Sequence, residues 1–485
     1  MTAPEQRFDL VIRGGRVVTP SGVQNMDIGV RGAHIVALGS LDPRAADRVI
    51  EAAGLVVLPG LIDTHVHLRE PGYGHKETFG AGTRAAASSG ITTVLDMPCD
   101  IPPTSSAQTL AAKDRLIAPS AYVDYALYGC AGAGNLDRIA ELAENGVVGY
   151  KTFMEPAFDD LPGSIDMCAP DDAALFQVLR AVAATGLPSV IHAENDSVCA
   201  LLGEELRRAG RNDPLAHALS RPPFAEEEAV QRALLLGRAT GARVSFAHVS
   251  TAGAVARIRA AKAEGQQVTA EACPHHLLLT EDDLARVGPY GKINPPLRTA
   301  WHQAALWEGL LDGTIDFVGT DHSPYLVSEK DPGWTRIWDA PSGACGLDAA
   351  GRVMLTAVNQ GRLTLVELAE VMSRRAAKTF GLYPRKGEIR VGADADLVLV
   401  DLTRRSVIDH ADFQSAGRDA ALLWDGFEAT GAPVKTFVRG TEVFDGTSIV
   451  GTPGHGIRIR PLGDEAKIGD HVTELFTERA GIHGS

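Results

Sequence analysis

Short runs of alternating apolar and polar residues, punctuated by glycine, open the chain: "FDLVIRGGRVV", "MDIGVRGAHIVALG" and "RVIEAAG". Alternation with period two puts one face of each run against a core and predicts small half-buried strands. The same style returns near the other end in "ADLVLVDL" and "VKTFVRGTEVFDG". Two β-rich ends around a different middle predict one β-sandwich domain built from residues 1–55 and 386–450 together. The middle, residues 56–385, has another rhythm. Near-continuous apolar, β-branched segments recur at "VVLPGLIDTHVH", "ITTVLDMP", "YVDYALYG", "VVGYKTFM", "PSVIHAE", "RVSFAHVS", "VTAEACPHH" and "IDFVGTDHSP". Between most of them lie alanine- and leucine-rich helical stretches such as "DDAALFQVLRAVAATG" and "EEEAVQRALLLGRATG". Eightfold strand–helix alternation predicts an α/β chain with a closed (β/α)8 (TIM) barrel, in preference to a doubly wound open sheet. Residues 451–485 are polar and glycine-rich and predict an arm or partly ordered tail.

Composition narrows the class. The 485 residues are 45% hydrophobic, and 46 basic against 61 acidic residues give a formal charge of −15. Such a balance argues against a nucleic-acid or anionic-membrane partner. Six cysteines (Cys99, Cys130, Cys168, Cys199, Cys273, Cys345) are scattered without a CxxC pair and read as reduced, buried thiols. The start, "MTAPEQRFDLVIRGG", has no basic region followed by an apolar one. No uncharged run approaches the ~20 residues of a membrane span. The expectation is a soluble, cytoplasmic protein.

The chemistry gathers where the apolar segments end. "GLIDTHVHLREPG", residues 60–72, closes a buried strand on His65, His67 and Arg69. Side chains two apart share a face of a strand, so His65 and His67 offer two imidazoles to one point, as a divalent metal requires. In a barrel, the C-terminal strand ends share one mouth. The fourth segment adds Lys151, the fifth His192, the sixth His248 and the eighth Asp321. Singly, each has a plainer reading: a hydrogen-bonded structural histidine, a solvated lysine, an aspartate capping the next helix. Jointly, four imidazoles, a lysine and an aspartate at one mouth point to a metal centre.

Lys151 fits such a centre in a modified form. An ammonium repels a cation, whereas the carbamate formed with carbon dioxide is anionic and has two oxygens able to bridge two metals. Such a pair holds a hydroxide at neutral pH. Asp321 is then placed to act as general base and then acid toward the leaving nitrogen.

With these residues in view, the chain resembles the amidohydrolase superfamily, in particular its cyclic amidohydrolases: dihydroorotases, allantoinases and hydantoinases (dihydropyrimidinases). The resemblance spans nearly the whole chain. It rests on the composite β domain and on "PGLIDTHVHLREPG", "TRAAASSGITTVLDMP", "GVVGYKTFM", "VIHAEN", "FAHVS", "ACPHHLLLT", "KINPPLR", "GTDHSP" and "GADADLVLVDL". It implies that His65, His67, Lys151 and Asp321 hold one divalent ion, and Lys151, His192 and His248 a second, usually zinc. Lys151 would be N6-carboxylysine. The implied reaction opens a cyclic ureide to an N-carbamoyl compound, and homodimers or homotetramers are the implied assembly. Some relatives use the fold as a non-catalytic scaffold and commonly lose metal ligands; all six positions are filled here.

Within that group the substrate is less sharply drawn. Arg69 stands where dihydroorotases place an arginine for a ring carboxylate, and "PHHLLLTED" and "KINPPLR" read similarly. Cys99 and Tyr325, however, replace the asparagine and histidine that help hold that carboxylate. A structural salt bridge to Glu70 or another acid is the alternative use of Arg69. "MPCDIPPTS", "VDYALYG", "RPPFAEEEAVQRALLL", "EKDPGW" and "VKTFVRG" are more like allantoinases and hydantoinases, especially those for L-configured hydantoins. The expected substrate is a five-membered cyclic ureide, with dihydroorotate as the alternative. A hydantoin with an acidic side chain would reconcile Arg69 with the rest. Asn294 and the backbone of Gly343–Ala344–Cys345–Gly346 are expected to meet the ring, while Cys99 and Tyr325 shape the side-chain pocket. His322 is expected to support the ligands from behind, with His275 and His276 packed beneath the mouth. "DLPGSIDMCAP" is the expected lid.

Overall fold

A computed structural model describes residues 7–158 and 161–462. The two chain ends make one eight-stranded sheet. Its order is Thr441–Phe444, Glu428–Val438, Leu397–Val407, Val56–Pro59, Phe8–Thr19, Gly22–Arg31 and His34–Gly39, with Ala46–Glu51 paired to Phe8–Thr19 as well. Phe8–Thr19 shifts register between Ile12 and Gly15, so its first half pairs with Ala46–Glu51 and its second with Val56–Pro59. One strand thereby serves two partners on the same side. The alternating residues Leu10, Ile12, Ile28, Val30, Leu397 and Leu399 turn inward and form a core of their own with Phe437.

The eight apolar segments of the middle form a ring of short parallel strands: Leu61–Val66, Ile91–Asp96, Asp124–Leu127, Tyr150–Phe153, Ser189–His192, Val244–Phe246, Val268–Ala272 and Phe317–Val318. Val148 N–H donates to Leu127 O (3.0 Å) across the third and fourth strands, and His67 N–H donates to His322 O (2.8 Å) to close the eighth on the first. Helices such as Asp172–Ala183 and Pro223–Thr240 cover the outside. Each buries an apolar stripe, and Asp171 caps the first of them by accepting from Ala174 N–H.

The run "VVLPGLIDTHV" reads as one strand but divides at Gly60. Val56–Pro59 belongs to the end sheet, where it lies against Leu397–Val400, and Leu61–Val66 opens the barrel. A Cβ on Gly60 would come within 2.1 Å of Thr92 Oγ1 and 2.8 Å of Asp396 Cβ. Only glycine lets the backbone pass so close while switching layers.

Buried charge ties the parts together. Lys386 Nζ lies 2.6, 2.9 and 2.5 Å from carboxylate oxygens of Asp124, Asp394 and Asp396, linking the third barrel strand to the entry of the end sheet. The described part of the C-terminal stretch runs along that same strand, with Ile459 N–H donating to Tyr125 O (2.7 Å). The remainder of the expected arm, from residue 463, lies outside the described residues.

Candidate active site

The C-terminal strand ends surround a cavity of ≈ 610 Å³, lined at its floor by His65, His67, Lys151, His192, His248 and Asp321. Three donor atoms converge on one side. His65 Nε2 and His67 Nε2 each lie 3.2 Å from Asp321 Oδ1. His65 Nδ1 is 2.8 Å from Glu271 Oε1, so the ring donates there and its Nε2 is left as a lone pair, buried and without a hydrogen-bond partner among the described residues. Burial pushes the His67 imidazole down to about 3, only partly offset by Asp321. It is therefore neutral near pH 7, the form that binds a metal.

A second convergence lies beside the first. His192 Nδ1 faces His248 Nε2 at 3.1 Å, while His192 Nε2 is 3.0 Å from Glu194 Oε2. With His192 donating to that carboxylate, its Nδ1 is a bare lone pair aimed at the neighbouring ring. Arg221 pairs with the same carboxylate at 2.5 Å. Burial pushes Glu194 up, yet Arg221 and His192 together hold it ionised. His65, His248 and Asp321 each offer a ligand atom within 4.8 Å of the others, so the two convergences adjoin. His248 Nε2 either donates to the His192 lone pair or, with the proton on Nδ1, offers a second lone pair beside it, and the donor set of imidazoles and a carboxylate suits a divalent transition ion. Lys151 is 1% exposed at the same floor, and burial lowers its ammonium toward the neutral amine.

The backbone is bent to achieve this. Arg69, His248 and Asp321 have φ of 63°, 37° and 50°, a region non-glycine residues rarely enter. Three such residues around one cavity are held by their surroundings. Asp63 accepts from His65 N–H and Thr320 N–H, each at 3.0 Å, pinning the turn that carries Asp321. Glu271 Oε1 accepts from the backbone N–H of His248 (3.2 Å) as well as from His65.

A model of the Amidohydrolase family matches residues 56–443. The chain belongs to the amidohydrolase family. An L-hydantoinase of Paenarthrobacter aurescens is 39% identical over 452 residues, covering 93% of this chain and 97% of that protein. An allantoinase of Rubrobacter xylanophilus is 39% identical over 463 residues, covering 95% and 99%. The solved L-hydantoinase (dihydropyrimidinase) from Arthrobacter aurescens matches with a TM-score of 0.89 at 38% identity, over 93% of this chain and 100% of that one.

In this amidohydrolase, Arg69, Cys99, Asn294, Tyr325 and Gly343 all line the cavity. Arg69 is buried, with Nη2 donating to Ser323 Oγ (2.6 Å) and its guanidinium 4.7 Å from the centre of the Tyr325 ring. The alternative expectation, a salt bridge, is not found: among the described residues Arg69 pairs with no acid, and Glu70 instead accepts from Phe79 N–H (2.8 Å). Arg69 Nε and Asn294 Oδ1 are buried without partners among the described residues. A Cβ on Gly343, at φ 141°, would meet Ser323 Oγ and the Tyr325 ring at 2.7 Å, and its N–H is already spent on Lys292 O (2.9 Å). Of the turn whose backbone was expected to meet the ring, Gly343 lines the cavity and Cys345 does not. The Cys345 thiol is turned toward Gly417 O (3.6 Å) and Ser415 Oγ (3.9 Å), because the turn from Gly343 to Gly346 swings that side chain away from the mouth.

His322 supports the centre through its backbone; its ring accepts from Gly346 N–H (3.1 Å) and faces Glu77 (3.4 Å). His275 and His276 are buried outside the cavity lining. From the expected lid, Leu161 lines the cavity beside Phe158 and Phe153, and Asp160 lies outside the described residues. Sequence reasoning passed over Glu271, Glu194, Lys76 and Glu329. Glu271 had a signal, as an acid inside the apolar run "VTAEACP". Glu194 had one too, lying two positions past His192. Lys76 and Glu329, joined at 2.7 Å across the mouth, had none.

Proposed function

We propose that this amidohydrolase opens the ring amide of a five-membered cyclic ureide, a hydantoin or allantoin, to the N-carbamoyl product. The observation that carries the reading is the convergence of His65, His67 and Asp321 donor atoms, with His192 and His248 beside them, in a cavity that Lys151 also lines. His65, His67, Asp321 and a carbamate on Lys151 would hold one divalent ion, and Lys151, His192 and His248 the other, with zinc the expected metal. When bound, the metals supply Lewis-acid polarisation of the ring carbonyl and lower the pKa of water.

The chain's own side chains do the rest. Asp321 Oδ1 lies among the ligands, while its side chain keeps 14% exposure to the cavity. It takes the proton of the attacking water and returns it to the ring nitrogen as the C–N bond breaks. Asn294 Oδ1 is an unused acceptor suited to a ureide N–H. Glu271 and Glu194 keep His65 and His192 in the tautomers that leave a lone pair inward.

Arg69 favours an acidic substituent on the ring. A buried guanidinium without an acid partner is stabilised by an anion arriving with the substrate. The same observation supports dihydroorotate as a second reading, although Tyr325 stacks on Arg69 and Cys99 offers a thiol rather than an amide. The test is a ring-opening assay on allantoin, neutral and carboxylate-bearing hydantoins of both hands, dihydrouracil and dihydroorotate, repeated with Arg69→Ala. Five-membered rings should turn over fastest, and the variant should lose at least tenfold more on acidic than on neutral rings. Equal losses would remove the carboxylate role. No ring opening by the metal-loaded protein would remove the whole reading.

A further inference from the structure

After the strand Val268–Ala272 the chain turns through Cys273, His275 and His276 in the short helix Pro274–Leu278 and its cap. The Cys273 thiol is fully shielded, and the histidines are 4% and 3% exposed. The sulfur and one ring nitrogen from each histidine lie within 4.8 Å of one another. The two rings meet edge to face with centroids 4.3 Å apart. His276 donates Nε2–H to Pro295 O (3.0 Å), which fixes its tautomer. Its Nδ1 is therefore a lone pair, and that buried atom has no hydrogen-bond partner among the described residues. Leaving a buried acceptor unpaired is costly. None of the three residues lines the cavity, so ring opening makes no use of them.

We propose that Cys273, His275 and His276 form a further transition-metal site, distinct from the centre around Lys151 and suited to zinc. One thiolate and two imidazoles satisfy the ligand preferences of that ion and leave a fourth position for water. On binding, the Cys273 S–H bond breaks, its proton leaves to solvent and a sulfur–metal bond replaces it, so affinity rises with pH. Tetrahedral bonds of about 2.0–2.3 Å set donors roughly 3.5 Å apart, so the turn tightens by up to about 1 Å. Occupancy would stiffen the backbone just after Glu271, the carboxylate that orients His65.

Full-length protein reconstituted with cobalt(II) and read in the near ultraviolet tests this. The main centre as proposed contains no sulfur ligand, so a thiolate-to-cobalt charge-transfer band reports the new site alone. The band should appear together with metal bound beyond the main pair. Cys273→Ser should abolish the band and lower bound cobalt by one equivalent. Cys99→Ala should leave both unchanged; Cys99 is a competing sulfur because it lines the cavity. His276→Gln keeps the thiol and should weaken cobalt affinity for this site at least tenfold, which decides the matter if the serine variant does not fold. Absence of the band at saturating cobalt, its persistence in Cys273→Ser, its loss in Cys99→Ala, or unchanged affinity in His276→Gln would overturn the proposal. Ring-opening activity does not enter the readout, so failure here is separate from failure of the catalytic reading.

Discussion

Glu271→Gln should loosen metal binding while leaving the barrel folded, and Glu271→Ala should damage both. The carboxylate is 2% exposed. Its Oε1 accepts from His65 Nδ1 (2.8 Å) and His248 N–H (3.2 Å), and its Oε2 from the Thr64 hydroxyl (2.5 Å). In glutamine the amide oxygen keeps both N–H donors, and the Thr64 hydroxyl rotates to accept from the amide nitrogen. Three contacts survive and the charge is lost. Hydrogen bonds to a charged group contribute about 1.5–3 kcal/mol against about 0.5–1.5 for neutral ones, a difference of about 1–2 kcal/mol. That loss falls on the basicity of His65, and losing a supporting partner of this kind weakens metal affinity about 10–100-fold. Alanine instead strands three buried donors at about 1–3 kcal/mol each, roughly 3–9 kcal/mol together. A whole domain has a stability of only about 5–15 kcal/mol. Competition with a chromophoric chelator measures the affinity, and urea unfolding in chelator measures the stability. A glutamine variant binding metal as tightly as wild type, or an alanine variant within about 1 kcal/mol of its stability, would refute the role assigned to this carboxylate.

Three further outcomes are expected. The intact mass of protein prepared in bicarbonate should carry one carbon dioxide that acid removes, and Lys151→Arg should lack both that mass and the metal pair; wild type without the adduct would sink the carbamate. Lys330, 1% exposed, donates to the carbonyls of Pro341 (2.9 Å), Lys292 (3.3 Å) and Pro289 (3.4 Å), and burial pushes its ammonium down to about 7. The unfolded chain, titrating near 10.5, then binds more protons than the folded one between these values, so stability rises with pH across that window. The slope is up to about 1.4 kcal/mol per pH unit; Lys330→Met should flatten it, and identical slopes in denaturant titrations would contradict the assignment. Gly60→Ala, whose new methyl would sit 2.1 Å from Thr92 Oγ1, should destabilise the protein by at least about 1–3 kcal/mol, and a neutral result would show that the layers can part there.

Much of the candidate site was legible because the side chains lining its cavity sit at strand ends, where local periodicity speaks. His65 and His67 share a face by their spacing alone, and Lys151, His192, His248 and Asp321 each close an apolar run. What supports them was harder to see. Glu271 meets His65 across a sequence separation of 206, and Arg69 meets Ser323 across 254. No local pattern encodes such pairs. The run through Gly60 misleads for the opposite reason: an unbroken apolar string cannot reveal that its two halves pair in different sheets.

By itself, then, the order of residues indicated the alternation of strand and helix, the pairing of the two β-rich ends and the six side chains that come to line one cavity. Those follow from hydrophobic periodicity and from donor chemistry, which are properties of short segments. The tertiary structure alone decided which nitrogen of His65 and of His192 is bare, which carboxylate holds each ring, and that Arg69 faces the cavity with no acid paired to it among the described residues. Those depend on angles and distances between atoms far apart along the chain, and they exist only once the barrel has closed.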